Sequence, residues 1–193
     1  QNINNPIYGG LRLSGKINND WRIGVLTMQA ATDKKIDLPS INYSVAAVQR
    51  KIFSRSNIAA IVVNKQAFQD SINSPFHIRP GSANTVAGID YNLASHSGKW
   101  TGKYYYHYAF NSEKSKQDSA FSAGARLDFT TPKVEFSMVS RIVGNNFNPE
   151  VGFLRRKRFN QTAPEFYYWF YPKSKVINKH GPGTDVDIIW NDV

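Results

Sequence analysis

The fold is decided by residues 99–142, which read KWTGKYYYHYAFNSEKSKQDSAFSAGARLDFTTPKVEFSMVSRI. Apolar side chains recur here at every second position, which is the period of a half-buried β-strand. The clearest run places these on one side: Trp100, Tyr104, Tyr106, Tyr108 and Phe110. Thr101, Lys103 and His107 fall on the other side. Because no long stretch shows the helical period instead, we predict an all-β protein.

The same alternation, followed outward from this stretch, predicts ten antiparallel strands. They span residues 7–17, 20–30, 41–52, 57–68, 83–94, 99–110, 118–129, 133–142, 164–171 and 185–190. A usual globular strand has about 5–6 residues. A strand that crosses a bilayer at about 45° needs about 9–11. Most of the predicted strands are therefore long enough to span a membrane.

The gaps between the predicted strands alternate between short and long along most of the chain. The short gaps are 18–19, 53–56, 95–98 and 130–132, and the long gaps are 31–40, 69–82, 111–117 and 143–163. Outer-membrane barrels show this alternation because their periplasmic turns are short and their outer loops are long. The ninth gap, 172–184, departs from the pattern.

Aromatic residues collect near the ends of the predicted strands. They are Tyr8, Trp21, Tyr43, Phe53, Phe68, Trp100, Phe110, Phe129, Phe166 and Trp190. Aromatic girdles at the two membrane interfaces produce such a distribution, although the ordinary strand preference of aromatic residues also favours it. Together with the strand and gap lengths, it predicts an antiparallel up-and-down transmembrane β-barrel.

The predicted topology also bears on the size of this barrel. With short turns on the periplasmic side, ten strands would begin and end on the outer side. Single-chain bacterial barrels usually have an even strand number and periplasmic ends. We therefore expect residues 1–193 to form a single outer-membrane barrel domain or a fragment of one, with further strands on each side.

The composition excludes several classes of protein. The 193 residues include no cysteine, so a disulfide framework, a thiolate metal site and a cysteine nucleophile are excluded. The histidines show no ligand spacing on one element, and we predict neither a metal site nor a cofactor. No run of about 18 apolar residues is present, which excludes a transmembrane helix but not barrel strands.

Because the net charge is +10, clusters of basic residues are candidate sites for anions. A candidate basic lumen is formed by Arg12, Lys16, Arg22, Arg50, Lys103, Arg126, Lys133 and Arg141, assigned to the polar strand faces. Against them stand Asp90, Asp128 and Glu135. If these faces line a lumen, it would concentrate anions. An interior network of ion pairs that only stabilises the barrel is the alternative.

A second candidate, the basic tetrad, consists of Arg155, Arg156, Lys157 and Arg158 in the predicted outer loop 143–163. The phosphates of lipopolysaccharide are the nearest anions on that side of the membrane, and the arginine fork suits phosphate. A solvated run of loop charges is the alternative. We expect no nucleic-acid partner, because no recognition motif accompanies the charge.

Three stretches resemble a known family. They are PIYGGLRLSGKINNDWRIGVLTMQ at 6–29, INYSVAAVQRKIFSRSNIAAIVVNKQAF at 41–68 and FNPEVGFLRRKRFNQTAPEFYYWFYPKS at 147–174. They resemble the barrel domain, of unknown function, in Bacteroidetes-type outer-membrane proteins that carry an N-terminal carbohydrate-binding family 9-like domain. The resemblance implies a bacterial outer-membrane location and a role as anchor or passage module in glycan or nutrient handling.

The expected partners follow from that location. They are outer-membrane lipid and lipopolysaccharide, with glycans and other outer-membrane proteins as further candidates. The resemblance supplies no catalytic residues to transfer to this chain.

Two other functions stay open. An outer-membrane hydrolase could use His107 with Ser122 or Asp90, but no nucleophile motif surrounds any serine, so an enzyme is not favoured. A soluble basic β-sandwich that binds anionic glycans could use the aromatic runs 104–108 and 166–171 as stacking platforms.

Overall fold

The computed structural model describes residues 6–34, 37–68, 82–111 and 118–191. They form one antiparallel sheet in which the first ten strands pair in chain order, while the last strand pairs with the ninth. The strands are β1 (Ile7–Lys16), β2 (Trp21–Ala30), β3 (Ser40–Ile52), β4 (Ser56–Phe68), β5 (Ala83–Ala94), β6 (Trp100–Asn111), β7 (Phe121–Thr130), β8 (Val134–Val143), β9 (Phe159–Tyr168), β10 (Gly183–Asp185) and β11 (Ile188–Trp190). The predicted all-β, up-and-down antiparallel fold is confirmed. None of the described segments forms a helix that is long and apolar enough to cross a membrane.

The sheet is open. In the described residues β1 pairs only with β2, while β10 and β11 pair only with β9. Side chains of all three of these strands are exposed. An open sheet leaves a row of backbone donors and acceptors at each edge without ladder partners.

The first eight strands lie close to their predicted positions, and the four short turns join them in hairpins. Two of the predicted long gaps, 69–82 and 111–117, fall almost wholly outside the described residues. We call the end of the strands at which the four short turns lie the turn end, and the opposite end of the strands the loop end.

The ninth strand was predicted wrongly. Residues 164–171 were expected, whereas β9 covers Phe159–Tyr168. After Phe159 its residues Asn160, Gln161 and Thr162 are polar on both faces and show no alternation. They nevertheless pair with β8, with Asn160 opposite Ile142 and Gln161 opposite Arg141. Backbone pairing with a neighbouring strand thus extends β9, and the preceding loop shrinks from 143–163 to 144–158.

The tenth strand was predicted as one segment, 185–190, but it is interrupted. β10 and β11 continue in a single register along β9, and Val186 and Asp187 separate them. Pro164 lies at the interruption and has no N–H to give to the ladder. Its carbonyl still accepts a hydrogen bond from the Val186 N–H at 3.2 Å. The break is therefore explained by one missing donor.

The two faces of the sheet differ in chemistry. The apolar face carries, among others, Leu11, Val25, Val48, Ile58, Ile89 and Tyr106. Leu11 is 71% exposed, Ile89 57% and Tyr106 51%. Contiguous exposed apolar surface on this scale marks a contact with a membrane or another protein. The opposite face, which we call the polar face, carries every carboxylate of the strands.

A small core lies on the polar face at the loop end. Loop 144–158 folds over the sheet there, and Phe147 packs with Ala109 and Val143. Val86, Leu154 and Phe159 pack around this cluster. Burial of Phe147 holds the loop against the polar face.

We predict that Phe147→Ala lowers the free energy of unfolding by roughly 3 kcal/mol, because Phe147 is 5% exposed and its removal leaves a cavity. Chemical denaturation followed by tryptophan fluorescence measures this. Phe153→Ala in the same loop is the matched control, since Phe153 is 87% exposed and its loss should change little. Equal effects of the two substitutions would contradict the docking of loop 144–158.

Candidate functional site: the polar face

The register places most of the predicted lumen cations together. Those on the polar face are Arg12, Lys16, Arg22, Lys103, Arg126 and Arg141, with Lys133 immediately before β8. Opposite residues of an antiparallel pair share a face, and residues two apart along a strand do so too. Because of these pairings, the polar face is continuous from β1 to β9.

Arg50 was assigned to the wrong face. It lies directly opposite Trp21 on the apolar face. Its guanidinium carbon lies 5.2 Å from the centre of the Trp21 ring, within the range of a cation–π contact. Arg50 therefore lies beside the aromatic residue Trp21, near the turn end of the apolar face. Its neighbour Lys51, rather than Arg50, lies on the polar face.

The charges of the polar face are divided between two halves of the sheet. Strands β1 to β4 contain no Asp or Glu. Their polar-face cations are Arg12, Lys16, Arg22, Lys51 and Lys65. Sequence reasoning missed Lys51 and Lys65, and the register with β2 and β4 is what locates them.

Strands β5 to β10 carry the acidic residues. Asp90 binds His107, with Oδ1 3.0 Å from Nε2, and Asp128 binds Arg126 at 2.8 Å. Glu135 lies 3.9 Å from Lys179. Glu165 and Asp185 lie directly opposite each other on β9 and β10. This half therefore contains ion pairs of the kind expected from the alternative to a basic lumen, together with one pair of like charges, Glu165 and Asp185.

Loop 144–158 reaches across the polar face as far as β4. The buried Asn84 side chain on β5 donates to the Asn148 carbonyl at 2.9 Å and accepts from the Glu150 N–H at 3.1 Å. Lys65 on β4 forms an ion pair with Glu150 at 2.7 Å. One asparagine thus satisfies two loop backbone groups, which fixes the loop over the loop end of the polar face.

The basic tetrad lies in the last part of this loop, and all four side chains are exposed. Lys157 donates to the Asn148 side-chain oxygen at 2.7 Å. Arg156 donates to the Asn191 side-chain oxygen at 2.9 Å and its guanidinium lies 5.7 Å from the centre of the Phe159 ring. In the described part of the chain, no carboxylate lies within ion-pair distance of the tetrad. The tetrad is therefore available to an external anion.

The candidate hydrolytic residues lie on neighbouring strands but do not form a continuous chain of hydrogen bonds. Ser122 lies directly opposite His107 on the adjacent strand. The His107 ring contacts Asp90, and within the described residues no hydrogen bond links it to Ser122. A serine nucleophile needs that contact for its activation. The described residues also contain no group of three His, Cys, Asp or Glu that could hold a metal ion.

The tyrosines of β6 divide between the two faces. Tyr104, Tyr106 and Tyr108 lie on the apolar face, while Tyr105 lies on the polar face, 5.1 Å from the His107 ring centre. The Tyr105 ring covers Gly124, where an added Cβ would approach to 2.4 Å. A glycine is required there because a side chain would displace the ring. The predicted tyrosine platform is therefore split rather than continuous.

Comparisons with protein-family models, with curated proteins and with solved structures give no match for this chain. The resemblance to the Bacteroidetes-type barrel domain stays an expectation.

We predict that Asn84→Ala weakens the attachment of loop 144–158, because the Asn148 carbonyl and the Glu150 N–H lose their hydrogen bonds to this side chain, each at a cost of about 0.5–1.5 kcal/mol. Hydrogen exchange of the Glu150 amide should become faster. Asn92→Ala is the matched control, since it removes a side-chain hydrogen bond to Asn57 far from the loop. Unchanged protection of Glu150 in Asn84→Ala would contradict the contact.

Proposed function

We propose that this chain is part of an outer-membrane β-barrel that serves as an anchor or passage module in glycan or nutrient handling. One observation carries the proposal: one face of the sheet exposes a band of apolar side chains, while every carboxylate of the strands lies on the other face. Membrane barrels need this division because lipid surrounds them and water fills them.

The apolar face has aromatic residues towards both ends. Trp21, Trp100, Phe129 and Tyr168 lie at the turn end, and Trp100 packs on Phe129 with ring centres 4.6 Å apart. Phe68, Phe110, Phe121 and Trp190 lie at the loop end. Aliphatic residues such as Val48 and Ile89 lie between them. This order matches the two girdles and the apolar band of barrels in lipid.

The height of the band fits a bilayer. Trp100 and Phe110 bound it on β6 and are separated by ten residue steps. At about 3.3 Å per residue this is about 33 Å along the strand. A tilt of about 35–45° reduces it to about 23–27 Å, close to the roughly 25 Å band of known barrels.

A hydrogen-bonded polar patch limits the band on β2 to β4. Asn42 donates to Thr27 at 3.2 Å and to Gln29 at 3.1 Å, and Gln29 donates to Ser40 at 2.7 Å. All four residues lie on the apolar face at the loop end. Such groups suit the headgroup region better than hydrocarbon, where unpaired polar groups are costly.

The open edges support the proposal that further strands pair with β1 and with β10–β11 and so close the sheet into a barrel. Lipid offers no hydrogen bonds to an unpaired edge, so spanning sheets are closed. In the proposed barrel β1 and the β10–β11 edge each take a further partner, as expected from the topology. The polar face then lines the lumen, and the cationic strands β1–β4 favour anionic solutes. Lipopolysaccharide phosphate is the proposed partner of the basic tetrad.

The tryptophans provide a test of which face meets lipid. Trp100 lies on the apolar face, whereas Trp169 stacks on Tyr167 of the polar face at 5.6 Å, with Lys179 3.9 Å from its ring centre. Variants that keep only one tryptophan, the others being phenylalanine, are placed in vesicles of brominated phosphatidylcholine. We predict strong quenching of Trp100 and little quenching of Trp169.

Three controls accompany this measurement. Non-brominated vesicles give the reference intensity, and circular dichroism verifies that each variant is folded. Recovery of the protein with the outer-membrane fraction of its cells tests the location independently. Equal quenching of the two tryptophans, or a folded and monodisperse protein in plain buffer, would contradict the proposal and favour the soluble sandwich.

A further inference from the structure

A cluster of cations surrounds a cavity at the turn end of the polar face. The cavity has a volume of ≈ 320 Å³. Lys16, Arg22, Lys51 and Arg55 line it, together with the amide side chain of Asn57 and the carboxylate of Asp20. Only Lys16 and Arg22 belong to the predicted basic lumen, and the other two cations were not expected here.

The sheet register forces these cations together. Lys16 lies directly opposite Arg22, and Arg22 lies directly opposite Gln49. Lys51 follows Gln49 by two residues and is therefore the diagonal neighbour of Arg22. Directly opposite Cβ atoms are about 4.5–5.5 Å apart and diagonal neighbours about 7–8 Å. The backbone N–H of Lys51 also donates to the Asp20 carbonyl at 2.7 Å, which holds the turn 17–20 against β3.

Like charges directly opposite each other destabilise a sheet. In the described residues none of the four cations lies within ion-pair distance of a carboxylate. Two other like-charged pairs lie directly opposite each other, Lys103 with Arg126 and Glu165 with Asp185. Asp128 binds Arg126 and offsets the first of them. Lys16 and Arg22 have only the carboxylate of Asp20 in the same cavity, and it forms no ion pair with them.

Arg55 completes the cluster from the β3–β4 turn. Its Nη1 atom lies 3.0 Å from the place where a Cβ on Gly98 would stand, and Gly98 has a φ of +72°. A side chain at this position would disturb both the turn and the guanidinium. The neighbouring β5–β6 turn thus leaves room for Arg55 at the cavity.

We propose that this cavity binds a phosphate group of a water-soluble phosphorylated solute. Arginine forks and lysine ammonium groups are the usual phosphate ligands, and the Asn57 amide adds a neutral donor. A dianion relieves the Lys16–Arg22 repulsion, which a single carboxylate does less well. The cavity opens on the polar face, so a solute from water reaches it rather than the headgroup of a lipid on the apolar face. The site does not require that the sheet closes into a barrel.

Calorimetric titration of the folded, complete protein with inorganic pyrophosphate at low ionic strength tests the site. We expect saturable binding that Arg22→Gln and Lys51→Gln each weaken at least tenfold. Arg12→Gln is the matched control: it removes the same charge from the same face, outside the cavity, and should weaken binding less than twofold.

Thermal unfolding gives a second readout. Without pyrophosphate, Arg22→Gln should raise the unfolding temperature, because it removes the repulsion from Lys16, while Arg12→Gln should not. No saturable binding by the unsubstituted protein would overturn the proposal. Equal weakening by Arg12→Gln would also overturn it, since attraction to net charge would then suffice. Neither result alters the tryptophan quenching expected from a membrane barrel.

Discussion

The register of the antiparallel ladder is the constraint on which the rest of the structure depends. Side chains alternate with a period of two, so a slip of one residue would exchange the faces of a strand. A single row of directly opposite residues stays on the apolar face across six strands. The row consists of Val25, Ala46, Val62, Ala87, Tyr108 and Phe121. The ladder therefore keeps one face continuous from β2 to β7.

The same register gathers the charges on the other face and confines the strand carboxylates to β5–β10. No strand from β1 to β4 contains a carboxylate, although Lys65 binds Glu150 of loop 144–158. From β5 onward cations and carboxylates alternate, and Asp128 binds Arg126. Paired charges stabilise modestly at exposed positions, while adjacent unpaired cations cost stability. The cluster of cations at the turn end of β1–β4 is therefore the structural argument for the proposed anionic ligand.

How far the sequence predicts this structure depends on how regular the alternation is. Strands β1 to β8 lie close to their predicted bounds, and the alternation is clearest in β6 to β8. The sequence of β4 does not distinguish its two faces, because Ile61, Val62 and Val63 follow one another. The start of β9 has polar residues on both faces, so only its pairing with β8 reveals it. Arg50 was misplaced because Gln49, Arg50 and Lys51 are all polar and give no local indication of face; the partner Trp21 decides it. The same error removed Lys51 from the candidate site. The Lys65–Glu150 ion pair joins residues far apart in the chain, and no local pattern predicts it.

The charge separation extends to the two open edges. On the polar face β1 carries Arg12 and Lys16, whereas the β10–β11 edge carries Asp185 and Asp187. β1 runs from the loop end to the turn end, and β10 and β11 run the opposite way, as successive antiparallel pairing requires. A strand with carboxylates on its polar face suits β1, and one with cations suits the other edge, because opposite charges across a ladder are favourable. The ladder of the sheet therefore determines which charges become neighbours within the sheet, and it gives the two open edges charges of opposite sign.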